Sequence, residues 1–354
     1  MKRIILLKFL IIPVTFLLFT GCEKDKITAP FSAKTETSAK LLLYLEEEGD
    51  IINKQPIPVL TATEAYNNLN NYLVIDLRES SAFLQGHIHG AKNIGNDSLF
   101  NYININYTRF NKLVLVSASG QSAAYYSALL KLAGFRNVFY MNFGMASWNV
   151  LFSSVWMDRL NTDPDRGIFS YTNNPKRNYS SLPEITLYSA GQSIKELVQV
   201  RVGSLIKEGF DEDYNSFPSK TSIRFIEWGN IKEHLYTICT GQLMLYSSNP
   251  FIPNTYHPIG AVFYQAGPGS SDFRSTSYLQ TLPLDIPTVI YSGTGQESAL
   301  YVAYLRLLGY DAKSILFGVN NIDYNMLFHS PEIVHYAFTT NSIMNYPFST
   351  EPGK

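Results

Sequence analysis

The 354-residue chain carries 28 Lys and Arg against 29 Asp and Glu, and 45% of its residues are hydrophobic. That composition supports more than one packed core and excludes general disorder, and the length sets two domains as the expectation. No basic stripe or Arg/aromatic pattern appears, which excludes a nucleic-acid partner, and two cysteines build neither a disulfide framework nor a Cys-based metal site.

Met1 to Gly21 holds Lys2, Arg3 and Lys8, no acid, and an apolar run from Phe9 to Phe19. The run is too short to span a bilayer and fits a signal-peptide core. Without those three bases the net charge moves from −1 to −4. Leu18-Phe19-Thr20-Gly21-Cys22 resembles the lipobox of bacterial lipoproteins, departing from it at Phe19, where Leu is usual. The resemblance implies a lipidated Cys22, which would hold the chain at a membrane of the bacterial cell envelope without spanning it. Glu23 follows, not the Asp associated with inner-membrane retention, so the expected place is the outer membrane or the periplasmic face. Without lipidation the chain is secreted. Residues 22–37 read as a tether.

Residues 38–160 form the first expected domain. Ser38 to Ile52 reads as an amphipathic helix, and Thr61-Ala-Thr-Glu64 as a capping box opening a helix to about Leu69. Tyr72 to Leu77 is a strand, Phe83 to Gly90 a turn-rich loop, and Ala91 to Ile94 a short strand. Leu113 to Val116 and Asn137 to Met141 are further strands, and Gly144 to Leu151 is a helical turn or two. Between the last two strands, Ser117-Ala-Ser-Gly-Gln-Ser122 is a tight turn leading into a helix that ends near Gly134. Strands alternating with helices predict an α/β fold with a mainly parallel sheet covered on both faces.

Residues 161–183, rich in Pro, Asn, Asp and Ser, read as a linker. In the second domain, 184–330, Ser193 to Glu208 is helical, Ile223 to Ile226 a strand, and Asn230 to Glu233 the cap of a helix. Leu243 to Tyr246, Ala261 to Tyr264, Pro287 to Tyr291 and Ser314 to Phe317 read as strands, and Gly295 to Leu308 as a long helix. Residues 331–354 form a tail. Gly120 to Phe135 and Gly295 to Tyr310 share eight of sixteen positions without a gap, so one strand–turn–helix unit occurs twice.

These pieces together resemble two rhodanese domains in tandem. The first repeat carries the resemblance in Val74-Ile75-Asp76-Leu77-Arg78-Glu79, in Gly86-His87-Ile88-His89-Gly90-Ala91, in the turn from Ser117, and in Gly144 to Trp148. The second, weaker copy has His257-Pro258-Ile259-Gly260-Ala261, Val289 to Tyr310 and Gly318; counting back from its Gly-Ala puts Tyr246 and Ser248 where the first has Asp76 and Arg78. Active members of the family place a persulfide-forming Cys first in the turn and an Arg five residues later. Here those positions hold Ser117 and Ser122, then Ser292 and Glu297.

A hydroxyl cannot form the S–S bond on which sulfur transfer depends, and an unassisted Ser stays protonated. The expected function is therefore a non-catalytic binding or scaffolding lipoprotein, needing no cofactor. The alternatives are a sulfurtransferase recruiting Cys239, or a serine-based hydrolase of small anionic esters with Ser117, His87 and Asp76. For Asp76, Arg78, Gly86, His87 and Gly90 the resemblance equally implies loop-bracing roles. His87 and His89, two apart, could meet a metal on a loop. The neutral first turn, Ser117, Ala118, Ser119, Gly120, Gln121 and Ser122, is the candidate site for a small anion or the carboxylate of an envelope protein, because its N–H groups and the helix dipole converge there. In the second turn Glu297 opposes an anion.

Overall fold

In the first half, short strands with buried Val, Ile and Leu alternate with helices, and all strand pairings are parallel. The computed structural model describes residues 36–170, 172, 174–185, 192–216, 218–240, 257–269, 271–331 and 333–351, which fall in one compact unit, Phe31–Lys354. Signal, Cys22 and tether lie outside the described residues. Among those described, no helix is long and apolar enough to cross a membrane.

The first sheet contains β1 (Val59–Leu60), β2 (Tyr72–Asp76), β3 (Lys92–Asn93), β4 (Lys112–Val116) and β5 (Val138–Met141), in the order β1-β5-β4-β2-β3. A two-stranded antiparallel pair joins β6 (Phe169–Ser170) to β9 (His257–Pro258). The second sheet contains β7 (Ser222–Ile223), β8 (Tyr236–Thr240), β10 (Val262–Tyr264), β11 (Thr288–Tyr291) and β12 (Ala312–Ile315). Its order, β10-β8-β11-β12-β7, read from β7 is first, fifth, fourth, second, third, the same as in the first sheet.

The principal helices are α1 (Glu36–Glu47), α2 (Asn96–Asn106), α3 (Gln121–Leu132), α4 (Ile194–Glu208) and α5 (Gln296–Leu307). The expected helix over Ser38 to Ile52 breaks at Gly49 and Asp50, both at positive φ, before a short turn at Ile51–Lys54. The equivalent helices α3 and α5 pack on each other, each buried almost all round, as a helix between a sheet and a partner must be. Helix α4 opens with the full Ser193/Glu196 capping box and runs across α3, α5, α2 and α1. A single apolar core continues from one half into the other, with a separate cluster on the far face of each sheet.

The stretch 161–183 is woven into the fold: β6 pairs with β9, and Asn161 and Asn320 are joined by a backbone bond of 2.9 Å. The tail folds back over the first sheet. His87 and Ser349 exchange backbone bonds of 2.9 and 2.8 Å, the Trp148 indole donates to the Pro347 carbonyl, and Tyr346 stacks on Tyr66.

Local readings differ from the structure where tertiary pairing outweighs pattern. A helix, Phe225–Ile231, begins inside the run expected as a strand over Ile223 to Ile226, so Asn230 ends a helix instead of capping one. The strand expected over Ser314 to Phe317 is β12, two residues earlier. Helix α2 was not anticipated. In the second sheet, Tyr291 pairs with Cys239 as Val116 pairs with Asp76. The residue in register with Asp76 is thus Cys239, 21 residues before Gly260, whereas Asp76 is 14 before Gly90. Counting without that insertion selected Tyr246 and Ser248; they and the strand expected at Leu243 to Tyr246 lie outside the described residues.

Candidate functional site

Strand β4 ends at Val116, and Gly120, at φ 87°, turns the chain into α3. Ser117 Oγ accepts from the Gly120 N–H at 3.0 Å, closing the turn from within. Gly144 supports it from behind: at φ 59° its Cα comes so close that a Cβ would lie 2.3 Å from the Ser117 carbonyl oxygen. The N–H groups of Ala118 and Ser122 and the hydroxyls of Ser117 and Ser119 then face one point in front of the helix N-terminus, the arrangement of an anion cradle.

The cradle is filled by the chain's own Glu212. Its Oε1 accepts from the Ala118 N–H at 2.8 Å; its Oε2 accepts from the Ser122 N–H at 3.0 Å, Ser119 Oγ at 2.7 Å and Ser117 Oγ at 3.0 Å. Helix α4 delivers it. Past Glu208 the chain turns at Gly209, the Phe210 N–H donates to the Tyr126 hydroxyl at 3.0 Å, and the Phe210 ring packs on Tyr125, which sets residue 212 over the turn. The turn expected to take a small anion or a partner's carboxylate thus holds an internal carboxylate.

A cleft of about 950 Å³ opens in front of Glu212. Six acids line it, among them Asp97, Asp158 and Asp213, against Arg78, Arg159 and Lys207. Arg78 is tied to Asp76 by two bonds of 2.6 and 2.9 Å and to the Gly86 carbonyl at 2.7 Å, while Arg159 lies over the Tyr214 ring. With two of its bases engaged, the mouth repels a second anion.

Asp76, Arg78 and Gly86 therefore form a loop brace. His87 is buried, stacked on Phe83 with its Nδ1 2.9 Å from the Phe83 carbonyl, and His89 reaches Ser349 at 3.1 Å. The two imidazoles make separate contacts, and no group of metal ligands occurs among the described residues. Gly90 and its counterpart Gly260 share nearly the same backbone angle, φ 80° and 81°. The Ser117 hydroxyl has backbone N–H groups and a carboxylate as partners, with no imidazole among them.

The second turn has the same scaffold with a different interior. Ser292 Oγ accepts from the Gly295 and Ser298 N–H groups at 3.2 and 3.1 Å. Glu297 bonds to Tyr336, and burial pushes its carboxyl from the usual 4.5 to about 7, with the Tyr336 hydrogen bond opposing the rise. Such a carboxyl is neutral in the folded protein where it is already ionised in the unfolded chain. Its contribution to stability is present below the unfolded value and is lost as pH rises from about 4.5 to about 7. Replacing Glu297 with Gln should therefore leave stability at pH 5 nearly unchanged and raise it at pH 8 by about 1–2 kcal/mol. Denaturant melts at the two pH values measure this; equal effects at both would refute it.

Gln121 and Gln296, first residues of α3 and α5, join the turns crosswise. Gln121 Oε1 accepts from the Phe317 N–H at 2.8 Å, and Gln296 Oε1 accepts from the Phe143 N–H at 3.0 Å. Phe143 and Phe317 both sit at positive φ, 58° and 62°. Gln121, expected to line a ligand site, instead braces one half against the other.

Cys239 is enclosed in β8 beside Tyr291, and burial pushes its thiol up to about 12, far from a reactive thiolate at neutral pH. Sequence reasoning missed Glu212. Its only local signal is the acidic run Asp211-Glu212-Asp213 after a helix-ending Gly, which gives no hint of a target 90 residues away.

Residues 61–150 match the model of the rhodanese-like domain, and two mainly parallel five-stranded sheets flanked by helices agree with that fold. No match is found among curated protein sequences. Among solved structures, a rhodanese-related protein from Thermoplasma volcanium is 28% identical, over 25% of this chain and 88% of that one, with a TM-score of 0.24. A thiosulfate sulfurtransferase from Pseudomonas aeruginosa is 12% identical, over 80% of this chain and 46% of that one, with a TM-score of 0.27.

Proposed function

We propose that the chain is a tandem rhodanese-like module that has given up sulfur transfer and serves as a lipid-anchored binding or scaffolding protein at the bacterial cell envelope. The observation that carries this reading is the Glu212 carboxylate in the first turn, bonded to Ser117 and Ser119 and to the N–H groups of Ala118 and Ser122. An incoming sulfur donor would have to displace it and would then meet a hydroxyl in place of a thiol. The repeated strand order and the Ser at 117 and 292 extend the reading to both halves. The sulfurtransferase alternative needs Cys239, which is enclosed; the hydrolase alternative needs His87 and Asp76 at Ser117, whereas His87 bonds the Phe83 carbonyl and Asp76 bonds Arg78.

One preparation tests anchor and chemistry together. Full-length chain made with its leader in a bacterial host should incorporate labelled palmitate, and Cys22→Ala should abolish the label. Purified, the chain should transfer sulfur from thiosulfate to cyanide no faster than buffer. Absence of label on the unaltered chain, or label unchanged by Cys22→Ala, would sink the anchor; turnover abolished by Cys239→Ala would sink the non-catalytic reading.

A further inference from the structure

At the opposite end of the second sheet from its turn, where α5 gives way to β12, lies a cleft of about 480 Å³. Arg201, Lys220, Arg306 and Lys313 line it, facing only Glu208 and Asp311 as acids. The six come from separate stretches of the second half: α4, the loop before β7, the end of α5, and the start of β12. The fold holds them there by backbone bonds. Arg201 donates to the Leu307 and Arg306 carbonyls at 2.6 and 2.7 Å, capping the end of α5, and Lys313 donates to the Ser219 carbonyl at 2.5 Å.

Glu208 cannot neutralise them. Its carboxylate is shared between Arg306 at 2.9 Å and Lys220 at 3.8 Å. Arg201 is lowered from its usual range first by burial and then by the neighbouring Arg306 charge, and Lys313 is lowered chiefly by burial. Two charges are left in excess, crowded in a concavity, and a bound dianion would relieve their repulsion.

We propose that this cleft binds a phosphoryl dianion, either free phosphate or the phosphate of a small monoester. The guanidinium edges already bonded to carbonyls and Glu208 fix the positive charge in place, Lys220 and Lys313 add point charges with further N–H donors, and binding an anion here would stabilise the folded state by mass action. Leu205 and Tyr310 supply an apolar wall, and the cleft has room for an organic group beside the phosphate.

The test is calorimetric titration of the full chain with inorganic phosphate and with phenyl phosphate, at ionic strength matched with potassium chloride. Saturable one-to-one binding of either probe is expected, and its identity tells free anion from monoester. Lys220→Gln combined with Lys313→Gln should weaken it about tenfold or more. Lys220 alone, 81% exposed, can be changed without disturbing the fold, and K220Q should weaken binding in the same direction. Absence of saturable heat with both probes, or affinity unchanged in both variants, overturns the proposal.

Discussion

Ser117→Cys alone should yield a sluggish thiol, and Ser117→Cys with Glu212→Gln a reactive one. A sulfur at this position inherits the N–H cradle and the helix N-terminus, which favour thiolate. It also inherits Glu212, whose carboxylate lies 3.0 Å from the Ser117 oxygen and opposes a second negative charge. In the single variant the carboxylate dominates, because it is a full charge at contact distance while the helix end is a partial one. The thiol should then titrate above the ordinary value of about 8.5. Neutralising residue 212 leaves only the favourable terms, so the double variant should titrate below it. Alkylation by iodoacetamide at pH 7 should be about tenfold to a hundredfold faster in the double variant, one factor of ten for each unit of pKa. Cys239 gives little background while the protein is folded, because it is enclosed. Equal alkylation rates in the two variants would mean that Glu212 does not govern the turn.

The second large effect is on stability. Trp156 is fully buried and lies among Phe143 of one half, Phe317 of the other and Phe338 of the tail, with ring centroids 5.1, 5.0 and 5.4 Å away. Its indole N–H donates to the Ser119 carbonyl at 3.1 Å, so the same side chain supports the first turn. Trp156→Ala should cost about 3–5 kcal/mol, since the three rings around it cannot all collapse into the space it leaves. Trp156→Phe keeps an aromatic ring but abandons a carbonyl, and should cost about 1–3 kcal/mol. Denaturant unfolding at fixed pH measures both. A loss below about 1 kcal/mol for the alanine variant would show that the surrounding rings close over the space and that the indole is not a keystone of this core.

The repeat was legible because it is written in local signals. A buried strand, a Ser/Gly turn and a helix of matching length occur twice, and Gly120 and Gly295 mark where each helix begins. The capping box at Ser193 was legible for the same reason. What was hidden depends on partners far along the chain. The role of Gln121 cannot be read from its own turn, since its acceptor oxygen serves Phe317. Cys239 read as a residue ahead of a strand because the pairing of β8 with β11, not the spacing from Gly260, sets the register. Asp76, Arg78 and Gly86 were legible only through the resemblance, and the structure adds the contacts: Arg78 bonds both the Asp76 carboxylate and the Gly86 carbonyl. The chemistry of the first turn was half legible: its donors follow from the turn, but their acceptor comes from the other half.

Because that acceptor belongs to the same molecule, it competes with every outside ligand as a tethered species. A group held on a short segment acts at an effective concentration on the order of millimolar or above, however dilute the protein. If Glu212 occupies the cradle ~99% of the time, a free carboxylate or sulfur oxyanion sees its intrinsic affinity weakened about a hundredfold. Chance metabolites of weak affinity are thereby shut out. A partner that does bind must first break the bonds that hold the Glu212 carboxylate, which makes this small pocket a test of how well the partner's own groups replace it.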